Sequence, residues 1–219
     1  FFYYVGGGYQ DFKGMGARKV IAYLQKFGLG QKTGIDLPGE NSGFVPTPEW
    51  KEERKKEPWY VGDTYNISIG QGDTLVTPLQ VAVWTSVIAN GGYTITPHVL
   101  EKIIDPMSKK VELYPIVKPT SSLVQATTVS TVRQGMRECV IYGSCRMLSG
   151  LPFAAAGKTG TAQWSRTKDT HAWFTAFAPY HSPQIAIAVL VEEGGEGSIV
   201  AQPVAFEFLK WWGKKYVTP

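Results

Sequence analysis

The chain has 219 residues, long enough for one large domain, and its 43% hydrophobic content excludes a disordered protein. Twenty-two basic and 18 acidic side chains leave a net charge of +4, which is no footprint of a nucleic-acid binder. The longest apolar run, residues 185–191, is far too short to cross a bilayer.

The chain opens on Phe1-Phe-Tyr-Tyr-Val5, with no initiator Met or signal peptide. So apolar a start reads as the inside of a helix or strand, and the expectation is a longer parent protein. The spacing of Val20, Ile21, Leu24 and Phe27 predicts a helix over 14–27, stopped by Gly28. Residues 29–65 are dense in Gly and Pro and read as one long irregular segment, functional or partner-facing. Within it the mixed-sign run Lys51-Glu-Glu-Arg-Lys-Lys-Glu57 reads as a solvated face. Thr77 caps the next helix, with Pro78 in its first turn and Gly91-Gly92 past its end. Its expected apolar face is Leu79, Val83, Val87 and Ile88, with Trp84 nearby. Residues 99–104 and 111–114 read as a hairpin around Asp105-Pro-Met-Ser-Lys109. A helix over 121–142 follows, with Leu123, Val129, Val132, Met136 and Val140 inward.

Three strands are expected next, over 154–164, 171–179 and 184–192. A helix over 201–216 closes the chain on Val204, Phe208, Leu209 and Trp212. Helices first, then a meander, then a helix across it make an α+β fold with an antiparallel sheet flanked by helices. Cys139 and Cys145 are too few for a metal site. If both were helical, the rise alone would hold them about 9 Å apart, too far to bridge. Gly143 can end the helix before Cys145 and leave a bridge open, but two free thiols are the expectation.

The most informative residues are Lys158-Thr159-Gly160-Thr161-Ala162-Gln163. Glycine weakens a strand, so Gly157 and Gly160 mark close approach by a ligand or another backbone. An extended peptide could add to the sheet there. Alternation puts Thr159 and Thr161 on one face, beside an ammonium, a set suited to a terminal carboxylate. The Thr161 N–H could serve as one oxyanion donor. A P-loop is rejected, because its first glycine position holds Pro152 and the sequence after Thr159 is β-rich. Ser165-Arg-Thr-Lys168 has the spacing of a serine–lysine nucleophile pair but falls in a hairpin turn. Thr64-Tyr-Asn66 imitates a Ser-x-Asn motif. His98, His171 and His181 have no ligand or triad partner at a suitable spacing.

Further runs extend the pattern: Phe27-Gly-Leu-Gly-Gln-Lys-Thr-Gly-Ile-Asp-Leu-Pro-Gly39, Gly62-Asp-Thr-Tyr-Asn-Ile-Ser-Ile-Gly-Gln-Gly72 and Val76-Thr-Pro-Leu-Gln80. Ala89-Asn-Gly-Gly92 and Ala172-Trp-Phe-Thr-Ala-Phe-Ala-Pro179 belong with them. Together they resemble the C-terminal part of a bacterial class B penicillin-binding protein transpeptidase domain, over nearly all of residues 1–219. Trp50-Lys51 and Trp59 favour the elongation-type branch. The resemblance implies the penicillin-recognising, β-lactamase-like fold. It implies a serine acyl-enzyme that cross-links peptidoglycan stem peptides, or trims their D-Ala-D-Ala ends, and is a target of β-lactams.

By that match Lys158 supplies positive potential and the Thr161 N–H holds the oxyanion. Thr159 and Thr161 contact the carboxylate, Gly160 allows close approach, and Gln163 and Trp164 wall the groove. The nucleophile and second motif are expected upstream of Phe1, so this segment alone would be inactive. The resemblance implies no cofactor or metal. It places the parent protein at the periplasmic face of the bacterial cytoplasmic membrane, with a membrane glycosyltransferase and other elongation-complex proteins as partners. A β-lactamase and a non-catalytic β-lactam or peptide sensor are the rival readings.

Overall fold

The computed structural model describes residues 1–113 and 122–217. Five helices come first: α1 (Phe2–Gly7), α2 (Ala17–Lys26), α3 (Pro48–Lys55), α4 (Val61–Ser68) and α5 (Pro78–Ala89). A small hairpin, β1 (Lys102–Ile104) and β2 (Val111–Leu113), precedes α6 (Ala126–Ile141). Then come β3 (Ala156–Ala162), β4 (His171–Ala178), β5 (Ile185–Val191) and α7 (Ala201–Tyr216). Strands β3, β4 and β5 form an antiparallel meander in that order, so β3 is an edge.

Both faces of the meander are covered. On one face Ala172, Phe174, Ala176 and Ala178 of β4 meet Ala201, Ala205 and Leu209 of α7 in a single core cluster. Alanines on both sides let the helix approach closely. The opposite face packs against α5 and α6: Ala156, Phe177, Ala89 and Met136 share a cluster, and Thr175 Oγ1 lies 2.6 Å from Thr85 Oγ1. The sheet is thus the middle layer of three, and α+β holds.

Several boundaries and faces differ from those read in the sequence. Gly14 and Gly16 adopt left-handed φ of 64° and 75°, so α2 starts only at Ala17. The segment 29–65 is not wholly irregular, since it contains α3 and the start of α4. Thr47 caps α3 by accepting from Trp50 N at 3.1 Å, with Pro48 in the first turn. Asp63 of α4 accepts from Tyr60 N at 2.7 Å. Asp63 also takes the ammonium of Lys51 at 2.7 Å, and Glu57 lies 3.6 Å from it. Lys51 is therefore the one buried member of an otherwise solvated run. The Asp63 hydrogen bond, above all, raises the Lys51 pKa and keeps it charged.

Helix α5 has its expected cap, a reciprocal box between Thr77 and Gln80. Being sandwiched, it buries Gln80, Val81, Thr85, Val87 and Ala89 most deeply, while Leu79, Val83, Trp84 and Ile88 are half-buried. Gln80 works as a clamp: its Nε2 donates to Gln31 O at 2.9 Å and Ser42 O at 2.7 Å, fixing the long loop to the helix. Helix α6 begins at Ala126, because Ser122 instead bridges Tyr93. Val129, Met136 and Val140 are buried as expected, but Val132 is 43% exposed. The expected helix start at Ser121 and strand end at Tyr114 lie outside the described residues. Helix α7 buries Leu209 and Trp212 as read, yet Val204 and Phe208 point outward, because Ala201 and Ala205 take the sheet side.

The thiol expectation is corrected. Cys139 and Cys145 form a disulfide with Cα atoms 5.1 Å apart. Helix α6 stops at Ile141, and the chain folds back so that Gly143 N and Cys145 N both donate to Cys139 O at 3.0 Å. The helical separation that argued against a bridge no longer applies. Among the described residues no helix is long and apolar enough to cross a membrane.

Candidate active site

The Lys-Thr-Gly-Thr run occupies the middle of β3, on the edge that no strand covers among the described residues. Thr159 pairs with Phe174 and Thr161 with Ala172, so both hydroxyls belong to the α7 face. Lys158 pairs with Thr175 and belongs to the α5 face. In an antiparallel strand a residue's N–H and C=O point the same way. Thr161 O faces outward, because Gln71 Nε2 donates to it at 3.1 Å. The Thr161 N–H therefore faces outward too. Thr159 O also faces outward and accepts from Lys158 Nζ at 2.5 Å. The edge thus offers an ammonium, two hydroxyls and an outward amide within four residues, 158–161.

Both hydroxyls have a neighbour within hydrogen-bond reach. Thr159 Oγ1 lies 2.9 Å from Ser144 Oγ, on the loop that the disulfide closes. Thr161 Oγ1 accepts from Gly197 N at 3.4 Å. The close backbone approach seen at this strand is made by Gly197 rather than by Gly160. A Cβ on Gly197 would stand 2.3 Å from Gly160 O, so the segment leading into α7 lies on the Gly160 backbone. On the other face a Cβ at Gly160 would meet Trp173 Cβ at 3.1 Å. Gly157 is spared a side chain because Phe174 Cζ stands 3.0 Å from where its Cβ would be.

Past β3, Gln163 N donates to Gln71 Oε1 at 3.3 Å, so the Gln71 amide bridges Thr161 and Gln163 along the edge. Trp164 is half-exposed and stacks on His171, with ring centroids 5.2 Å apart and planes within 6°. Lys168 Nζ sits 4.7 Å from the Trp164 ring centroid and pairs with Glu193 at 2.7 Å. The decoys dissolve. The Lys168 ammonium is committed to Glu193 and Trp164, while Ser165 Oγ lies 3.3 Å from Thr167 Oγ1. Thr64 is a buried acceptor for Trp59 Nε1 at 2.9 Å. His171 accepts from Glu193 N at 3.0 Å. Among the described residues no group of three or more His, Cys, Asp or Glu could hold a metal.

Reading by motif missed Gln71, Ser144 and Gly197 as neighbours of the strand. Gln71 lies 90 residues from Thr161 in sequence, and although it stands in the Gly62–Gly72 run, nothing local ties that run to β3. Ser144 carried the nearest thing to a signal, standing between Gly143 and Cys145.

The penicillin-binding protein transpeptidase domain model matches residues 9–210. The chain belongs to this family. It is 34% identical to the peptidoglycan D,D-transpeptidase MrdA of Haemophilus influenzae, over 93% of this chain and 34% of that protein. It is 36% identical to MrdA of Acinetobacter baumannii, over 90% of this chain and 31% of that protein. The chain thus spans about a third of the length of these curated relatives. The penicillin-binding protein 2 structure from Helicobacter pylori superposes with a TM-score of 0.78 at 35% identity, covering 99% of this chain and 38% of that one. The Pseudomonas aeruginosa protein 2 in complex with WCK 5153 gives 0.76 at 35%, covering 89% and 42%. The fold is that of penicillin-binding protein transpeptidase domains.

Proposed function

We propose that the protein is an elongation-type peptidoglycan D,D-transpeptidase, and that residues 1–219 are the C-terminal part of its transpeptidase domain. The observation that carries this reading is the outward edge of β3, where Lys158, Thr159 and Thr161 gather beside an outward Thr161 amide. Its nucleophile is a serine in the part of the family's sequence that this chain does not span. That serine attacks the penultimate D-Ala carbonyl, D-Ala leaves, and an amine from a neighbouring strand resolves the acyl-enzyme. Thr161 N–H stabilises the oxyanion, and Lys158 supplies positive potential. Thr159 and Thr161 bind the terminal carboxylate of the stem peptide or of a β-lactam. Gly160 allows close approach of the substrate, and Gln163 and Trp164 wall the groove.

The protein works at the periplasmic face of the cytoplasmic membrane, in rod-shape maintenance. The Cys139–Cys145 disulfide supports an oxidising compartment. Partners are a membrane glycosyltransferase and other elongation proteins. One Helicobacter pylori structure holds penicillin-binding protein 2 with MreC, which supports a partner of that kind.

The test is intact mass followed by peptide mapping of the full-length protein after incubation with benzylpenicillin. One drug mass on a serine outside residues 1–219 is expected. An adduct on Ser165, or on any other serine of these residues, refutes the assignment. Rapid turnover of the drug would make it a β-lactamase, and binding without an adduct a sensor.

A further inference from the structure

One covalent feature beside β3 has no part in the chemistry above. The Cys139–Cys145 disulfide closes the short loop that follows α6, and Ser144 lies within that loop. Cys145 is fully buried in the core cluster that also contains Leu148 and Phe174. Ser144 is exposed. Two backbone N–H groups of the loop, Gly143 and Cys145, converge on Cys139 O at 3.0 Å. The loop is therefore tied to the helix twice, by covalent bond and by hydrogen bonds. Its serine hydroxyl emerges 2.9 Å from Thr159 Oγ1 and 3.6 Å from Cys139 Sγ.

A hydroxyl has a single hydrogen to give. If Thr159 donated to Ser144, the Thr159 lone pairs would face an incoming carboxylate. If Ser144 donates to Thr159, the Thr159 hydrogen is left for the carboxylate. Either hydroxyl can donate across the 2.9 Å contact, and the bound carboxylate decides between the two. A disulfide sulfur has no hydrogen and accepts weakly, so it holds the Ser144 hydrogen only loosely. When a carboxylate arrives, the Thr159 hydrogen turns to that charged acceptor and Ser144 donates to Thr159 Oγ1 behind it.

We propose that Ser144, held in place by the Cys139–Cys145 disulfide, is a positioning residue that orients the Thr159 hydroxyl toward the carboxylate of the bound peptide or β-lactam. This rests on the assignment of Thr159 as a carboxylate contact.

The test compares acylation of the full-length protein by benzylpenicillin and by its methyl ester, which lacks the charge. Ser144→Ala slows acylation by the free acid about tenfold and by the ester less than twofold. Ser144→Thr, which keeps the hydroxyl, restores the acid rate. Thr159→Val shows the same selective loss, and adding Ser144→Ala to it costs nothing further, because both act through one hydrogen bond. The Cys139→Ser/Cys145→Ser pair reproduces the loss. Equal slowing of acid and ester by Ser144→Ala overturns the proposal and leaves Ser144 a structural residue. An undiminished acid rate in Ser144→Ala overturns it as well. If Thr159→Val leaves the acid-to-ester ratio unchanged, the Thr159 assignment itself falls, which is a different failure. Exposure of Ser144 makes its alanine variant compatible with folding.

Discussion

Replacing Gly197 with alanine asks whether the segment before α7 holds the Lys-Thr-Gly-Thr strand in shape. A Cβ there would stand 2.2 Å from Trp173 O, 2.3 Å from Gly160 O and 3.2 Å from Gly160 N. All three are backbone atoms of paired strands, so no side chain can rotate away. Real Cβ atoms essentially never approach within 3.0 Å, so the segment must retreat by at least 0.8 Å. The Gly197 N–H already reaches Thr161 Oγ1 only at 3.4 Å, and a retreat of that size breaks the contact. It also drags Gly197 O, which accepts from Gln202 N at 2.9 Å at the start of α7. Overpacking of this kind costs about 1–3 kcal/mol. At roughly 2–4 °C per kcal/mol for a chain of this size, the middle of that range lowers Tm by about 4–8 °C. Differential scanning calorimetry reads the stability, and stopped-flow acylation by benzylpenicillin reads the site, which should slow as Thr161 loses its neighbour. A Tm within about 1 °C of the parent would refute the reasoning.

Gly135→Ala should act in the opposite direction, because the middle of α6 has open space where the methyl group would go; a gain of about 0.5–1 kcal/mol is expected in urea unfolding. Reducing the disulfide, whose cysteines are six residues apart, should cost about 2 kcal/mol, read as a lower Tm with a phosphine reductant present. Gln71→Ala should slow acylation about fivefold with little change in Tm, since it removes two exposed hydrogen bonds that steady Thr161 O and Gln163 N. Asp36 accepts from Val99 N at 2.8 Å and Leu100 N at 2.9 Å, and these amides hold its pKa below the ordinary 3.8. A depressed carboxylate stabilises the fold above its unfolded pKa and loses that contribution as pH falls through its folded pKa. The Val99 and Leu100 amides should therefore stay protected from neutral pH down to about 3.8, lose protection below it, and lose it at pH 7 in Asp36→Asn, as amide exchange by NMR will report.

What the sequence disclosed was periodic or punctuated. The three long helices and the meander announced themselves through Thr77-Pro78, Gly91-Gly92 and runs such as residues 185–191, where spacing and caps are local. Helices α3 and α4 stayed hidden, because Pro46, Pro48 and Pro58 read as loop residues and the decisive contacts are cap and ion-pair geometry around Thr47, Lys51 and Asp63. The face of α7 was misjudged for a related reason. Size alone predicts Val204 and Phe208 in the core beside Leu209 and Trp212, whereas the close approach to β4 selects Ala201 and Ala205 and leaves Val204 and Phe208 outside. The disulfide was obscured by extrapolating a helix that ends two residues before Gly143. At the site, the faces taken by Lys158, Thr159 and Thr161 were legible because alternation along a strand fixes them. The residues that hold them were not, since Gln71, Ser144 and Gly197 reach β3 from separate segments that no local pattern connects.

These supporting residues also define how much of the edge is open. An uncovered strand edge invites pairing along its whole length. Here Ser144 stands at Thr159, and Gln71 occupies Thr161 O and Gln163 N. Ser144 meets a side chain on the α7 face, whereas Gln71 meets the backbone of the edge itself. Thr161 N–H points outward, and Thr159 O accepts from Lys158 Nζ. A carbonyl oxygen has two lone pairs, so an incoming peptide N–H can share Thr159 O with that ammonium. Lys158→Ala would then lose the positive potential yet keep Thr159 O as an acceptor for the peptide. Such a variant should acylate slowly while its dissociation constant for a stem-peptide mimic changes little, a separation that surface plasmon resonance and stopped-flow acylation can measure together. A matched loss in binding and acylation would show that Lys158 only attracts the ligand.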